Sequence, residues 1–97
     1  MAQVIFSAEA LADLERLAEF LAEQAPDSAP GMLERVIDAA AILENHPLVG
    51  RRAEGEFREL VISRGNSGYL CLYVFDDAGD VVRILRIRHQ REAGYRE

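Results

Sequence analysis

Gly68-Tyr69-Leu70-Cys71-Leu72-Tyr73-Val74-Phe75-Asp76-Asp77-Ala78-Gly79-Asp80-Val81-Val82-Arg83-Ile84-Leu85-Arg86-Ile87-Arg88-His89 is the stretch that decides the fold. Two runs of apolar, β-branched and aromatic residues flank a turn rich in Asp and Gly, the pattern of a β-hairpin. The first run, Tyr69 to Phe75, is apolar at every position, as expected for a central strand covered on both faces. The second, Val81 to Arg88, threads arginines through an apolar strand and runs into His89, Arg91 and Tyr95. Strict alternation places Arg86 and Arg88 on one face of that strand, with Arg83 and His89 on the other.

Upstream, Glu56 to Ser63 reads as a third strand, joined to the hairpin by the turn Gly65-Asn66-Ser67-Gly68. Leu48 to Gly55 reads as a loop. The N-terminal half changes period. Ala2 to Phe6 is a short strand ending at Ser7, which can cap a helix. From Ala8 to about Gln24, Leu11, Leu14, Leu17, Ala18 and Leu21 recur at helical spacing, with Glu9, Asp13, Glu15, Glu19 and Glu23 opposite. Pro26 ends this helix, and Asp27 or Ser28 can cap the next. The second helix spans Ala29 to Glu44 with Leu33, Val36, Ile37, Ala40 and Leu43 as its inner stripe, and Asn45-His46-Pro47 stops it. The order β-α-α-β-β-β predicts an α+β domain, a helix hairpin packed on one face of an antiparallel sheet.

Ninety-seven residues, 49% of them hydrophobic, suffice for one domain, here residues 1–97. The apolar runs are too short to span a bilayer and no signal layout opens the chain, so a soluble cytoplasmic protein is the expectation. The lone Cys71 sits within an apolar strand and reads as a small core residue. Net charge is −6. It is unevenly spread: residues 1–50 hold nine carboxylates against Arg16 and Arg35, whereas residues 51–97 hold nine arginines against eight carboxylates. The chain has no lysine. The net charge argues against nonspecific binding to duplex DNA, and any anion site has to be built from arginines of the second half.

No nucleophile motif, phosphate loop or metal-ligand spacing is present, so no cofactor or metal is implied. His46, before Pro47, reads as a helix-terminating residue whose cation suits the negative helix end. His89 reads equally as a general acid or base and as an exposed polar residue at a strand end. Arg51, Arg52, Arg58, Arg83, Arg86, Arg88 and Arg91 remain as anion-site candidates, with ordinary bridges to Glu54, Glu56, Glu59 and Glu92 as the alternative.

The opening strand, the helix hairpin, His46-Pro47…Gly50-Arg51, Arg58-Glu59-Leu60, Gly68-Tyr69…Tyr73 and Ile84-Leu85-Arg86-Ile87-Arg88-His89…Arg91-Glu92, in this order, resemble the RelE/ParE superfamily of type II toxin–antitoxin toxins, also known as plasmid stabilisation proteins. The resemblance implies a toxin held in a hetero-oligomer by a cognate antitoxin of ParD, RelB or another type. RelE-like members cut mRNA on the ribosome with cations and a general acid/base; ParE-like members poison DNA gyrase. The RelE-like pattern wants cations where this chain has Leu60 and Leu70, which favours the ParE-like activity and a non-enzymatic toxin. For a ribonuclease the resemblance would assign Arg58, His89, Arg91 and Tyr95 to catalysis. For target or antitoxin binding it leaves Arg51, Arg58, Arg83, Arg86, Arg88, His89 and Arg91. A non-toxic remnant that only binds its antitoxin is the third reading. Toxins of this superfamily are mostly basic and their antitoxins acidic. For this acidic chain the expected antitoxin contact is apolar burial, with the arginine-rich sheet edge taking the antitoxin's carboxylates.

Overall fold

The computed structural model describes residues 1–27, 29–62, 68–92 and 94–95. Two helices, α1 (Ala8–Gln24) and α2 (Ala29–Ala41), cover one face of a five-stranded sheet. The strands are β1 (Gln3–Phe6), β2 (Arg51–Arg52), β3 (Arg58–Ile62), β4 (Tyr69–Asp76) and β5 (Val81–His89), in the spatial order β1-β5-β4-β3-β2. The expected α+β architecture is present, with two changes to the sheet. β1 pairs with β5 in parallel, so the sheet is mixed rather than antiparallel. A short β2 also forms inside the expected loop, where Arg51 faces Glu59 and Arg52 faces Arg58. Ser28, Ser63 and most of the Gly65–Gly68 turn lie outside the described residues.

Ser7 forms the expected cap. Its hydroxyl accepts from the amide of Ala10 at 3.0 Å and donates to the carbonyl of Leu85 at 2.8 Å. One side chain thus starts α1 and continues the edge of β5 where β1 stops. The helix stripes differ from expectation by one step. On α1 the buried positions are Ala10, Asp13, Leu14 and Leu17; on α2 Met32, Val36 and Ala40 are buried, with Leu43 in the 3-10 turn Ile42–Glu44 that closes the hairpin. Leu11, Leu33 and Ile37, expected inside, are 54%, 44% and 49% exposed. Each helix carries more apolar residues than one sheet face can cover, and a rotation of about 100° per residue leaves the surplus on the outer shoulders.

The core joins these helix residues to Tyr69, Cys71 and Tyr73 of β4 and to Val82, Ile84 and Ile87 of β5. Each fully buried aliphatic chain of this kind contributes about 1.5–3 kcal/mol through removal from water. The buried set skips from Ile84 to Ile87 because Leu72 pairs with Arg86 while Tyr73 pairs with Ile84, leaving Leu85 as an extra residue. This bulge reverses the alternation of β5. Arg83, Arg86 and Arg88 therefore share the face away from the helices, and His89, opposite Tyr69, lies on the helix-covered face.

Candidate functional site

The sheet face away from the helices is built on β3, β4 and β5, with β2 and the C-terminal turn at its margins. Cross-strand pairing sets Glu59, Val61, Leu70, Leu72, Arg86 and Arg88 on this face. Its centre is an acid. The Glu59 carboxylate accepts from the Arg51 guanidinium at 2.8 Å and 3.0 Å, and from the Tyr95 hydroxyl at 2.7 Å. Burial alone would raise the Glu59 pKa, but the bonds from Tyr95 and Arg51 and the charges of Arg51 and Arg88 outweigh it and lower it. The same contact, added to burial, pushes the Tyr95 phenol well above its ordinary value. The Arg88 guanidinium lies 5.1 Å from the centre of the Tyr95 ring, a cation–π distance, and donates to the Glu92 carbonyl at 2.7 Å. Together these contacts fold the tail back over the sheet.

A second cluster closes the edge of β5. The Asp13 carboxylate, nearly enclosed, accepts from Arg86 at 2.8 Å and 3.1 Å and from the Ile87 amide at 2.9 Å. An aspartate on the apolar stripe of α1 thus supplies the acceptor that β1, ending at Phe6, no longer reaches. Burial opposes the charge of Asp13, but the hydrogen bonds from Arg86 and Ile87 and the nearby guanidinium groups win, and its pKa falls. One residue pair farther along the edge, Glu92 accepts from the His89 amide at 2.9 Å and pairs with Arg16 at 3.1 Å.

The sequence candidates therefore do not form one site. Arg51, Arg88 and Tyr95 converge on Glu59; Arg86 is held by Asp13; Arg83, half exposed, lies 3.7 Å from Asp76. Arg58 points to the helix-covered face, where it donates to the carbonyls of Leu48 at 3.2 Å and Gly50 at 2.9 Å. It braces the loop that the Tyr73 hydroxyl also holds, accepting from the Gly50 amide and donating to the Pro47 carbonyl. A Cβ on Gly50 would sit 2.6 Å from the Tyr73 ring, so the close approach requires glycine.

His89 stacks edge-on against Tyr69 with centroids 5.3 Å apart, and its Nδ1 accepts from the Arg91 amide. Arg91 is exposed and its side chain makes no hydrogen bond or ion pair among the described residues. Arg91 and His89, with Arg16, Leu17, Phe20 and Glu92, line a cleft of about 400 Å³ between α1 and the tail.

Sequence reading assigned Asp13 to the acidic outer face of its helix. Its position at i+3 from Ala10 and i−4 from Leu17 already put it on the inner stripe. An acid at a core position is the signal that would have found it. Cys71 is fully buried as expected, and burial pushes its thiol up to about 12.

Residues 4–94 match the family described as the ParE toxin of the type II toxin–antitoxin system parDE. Toxin RelE3 of Caulobacter vibrioides is 37% identical over 93 residues, covering 95% of this chain and 98% of that protein. Among solved structures, the RelBE2 toxin–antitoxin complex of Mycobacterium tuberculosis matches with a TM-score of 0.63 at 30% identity, over 92% of this chain and 98% of the other. The chromosomal ParDE system of P. aeruginosa superposes with a TM-score of 0.77 at 20% identity, over 92% and 96% of the two chains.

Proposed function

Because this chain belongs to the RelE/ParE superfamily of type II toxin–antitoxin toxins, we propose that it is a cytoplasmic, ParE-like toxin that inhibits DNA gyrase and is neutralised by a cognate antitoxin. The observation that carries the non-nucleolytic reading is Glu59 at the centre of the open sheet face, engaged by Arg51 and Tyr95. Cleavage of an RNA phosphodiester without a metal relies on preorganised cations aimed at the developing negative charge. On this face Arg51 faces Glu59, Arg86 is bidentate to Asp13 and Arg83 stands near Asp76. Position 70, where a ribonuclease of this superfamily would hold a cation, is the buried Leu70. The Tyr95 phenol is bound to a carboxylate and its raised pKa disfavours ionisation at neutral pH, so it is a poor general base.

The experiment is inducible expression without antitoxin, scoring growth, plasmid topology and mRNA integrity in the same cells. Growth arrest with altered DNA topology and intact mRNA is expected, as is inhibition of supercoiling by the purified protein at micromolar concentration. Arrest with codon-linked mRNA cuts would replace this reading. That ribonuclease reading is favoured by one specific observation, the 37% identity to a protein named RelE3. It would draw on His89 and Arg91 at the cleft and on Tyr95, and its cuts would vanish in Arg91→Ala. Soluble expression without arrest would leave an antitoxin-binding fold that has lost its poison.

A further inference from the structure

Beyond Leu17 the apolar stripe of α1 divides. Leu21 packs against the core, whereas Phe20, almost one turn on from Leu17, stays 59% exposed on the side of the tail. The bulge at Leu85 supplies the facing wall. In place of Arg88 it carries His89 to the helix-covered face, where the chain leaves β5 and turns through Arg91 and Glu92. The cleft of about 400 Å³ between α1 and the tail is the result, and it lies on the opposite side of the sheet from Glu59. Its wall is chiefly apolar, with a few polar groups converging on it, which is the usual form of a small-molecule site.

Those polar groups are not equally committed. Glu92 accepts from the His89 amide and pairs with Arg16, which also reaches Asp13. His89 Nδ1 accepts from the Arg91 amide, leaving Nε2 as the donor of the neutral ring. The Arg91 guanidinium has no hydrogen bond or ion pair among the described residues. Two arginines against one glutamate leave the lining with one positive charge, and Arg91 is the cation still to be answered.

From this we infer that the cleft binds a small aromatic carboxylate. The ring lies against Phe20 and Leu17, the carboxylate takes the fork of Arg91, and His89 Nε2 is the further donor. A single carboxylate matches the single uncommitted cation, whereas a phosphate monoester brings a second charge that the Glu92 carboxylate opposes. The apolar wall selects for the ring, because a bare anion gains nothing from Leu17 and Phe20. The inference requires neither gyrase nor the ribosome as the target.

The test titrates 2-naphthoate into the nitrogen-15-labelled full chain and follows amide and arginine side-chain signals by two-dimensional NMR. Binding with Kd below about 1 mM is expected, with shifts gathered at Phe20, His89 and Arg91. The neutral isostere 2-naphthamide and the ringless acetate are each expected to bind at least about tenfold more weakly. Arg91→Ala and Phe20→Ala, both at exposed positions, should each weaken naphthoate at least about tenfold. Arg91→Lys, which keeps the charge without the fork, should fall between Arg91→Ala and the unaltered chain. Far-UV circular dichroism verifies folding, and if Phe20→Ala does not fold, Arg91→Ala still decides. Naphthamide binding as tightly as naphthoate, unchanged affinity in Arg91→Ala, shifts centred elsewhere, or no shifts at about 5 mM overturns the proposal. Tighter binding of the dinucleotide ApU at the same residues would assign the cleft to RNA and also overturn it.

Discussion

The open face of the sheet and the outer face of the helix hairpin carry opposite charges in the sequence, yet only one of them keeps its charge in the fold. On the sheet, strand register sets distant residues side by side, and Arg51 meets Glu59 while Leu72 brings Arg86 to the edge that Asp13 closes. On the helices the neighbours are residues three and four positions away, and here those are the same acids repeated. A sheet mixes charges across the chain, whereas a helix can only stack what its own sequence supplies. Arg51, Arg83 and Arg86 of the open face are therefore paired from within, and the acidic half presents its charge to whatever binds.

The comparison is broken most severely by removing the acid that both regions share. Asp13→Ala leaves the Ile87 amide and the Arg86 guanidinium without their acceptor. It is expected to cost about 3 kcal/mol, lowering the melting temperature by roughly 10–20 °C. Gly50→Ala comes next, since its Cβ would press on the Tyr73 ring and the Glu59 carbonyl; a loss of about 1–3 kcal/mol should appear in urea unfolding.

The acid limb sharpens the same comparison. Asp13 and Glu59 have folded pKa values below their ordinary 3.8 and 4.5. Their stabilisation is complete above those ordinary values and is lost as pH falls below them through the lowered folded values. Wild type should therefore lose more stability than Asp13→Asn when melted at successively lower pH across that range. An equal or shallower loss in the wild type than in Asp13→Asn would remove Asp13 from the account.

Glu59→Gln should change stability by less than about 1 kcal/mol, because its Arg51 partner is largely exposed. Its sharper effect is spectroscopic, as the Tyr95 phenol should titrate at lower pH, followed by ultraviolet absorbance. The smallest effect has the opposite sign. Glu19→Lys converts repulsion with Glu15 and Glu23 into attraction and should stabilise the fold by a few tenths of a kcal/mol, seen as a melting rise of about 1–4 °C.

The helices, the three main strands and the turn after Phe75 were legible because each has a local cause: apolar period, a serine cap, an Asp/Gly turn. Missing were the features that depend on a neighbour. β2 is two residues long and exists only because Arg51 and Arg52 lie against β3. The parallel pairing of β1 with β5 is a meeting of the chain's two ends. For the candidate site, residue types were readable but grouping was not. Alternation joined Arg83 to His89, and the bulge at Leu85 separated them, moving Arg83 to the face of Arg86 and Arg88. Arg58 resembled an anion binder by type and is occupied with the carbonyls of Leu48 and Gly50.

Sequence alone determined the order of elements, the central place of Tyr69 to Phe75, the cap at Ser7 and the superfamily resemblance, because hydrophobic period and turn chemistry act over a few residues. Tertiary structure alone decided which arginines remain available, that Asp13 is interior, and that Leu11, Leu33 and Ile37 face outward beside uncompensated acids. Those outcomes depend on contacts between residues far apart in the chain, such as Asp13 and Ile87, 74 positions from one another. Both register and charge pairing are properties of such contacts, and a local pattern holds no record of them.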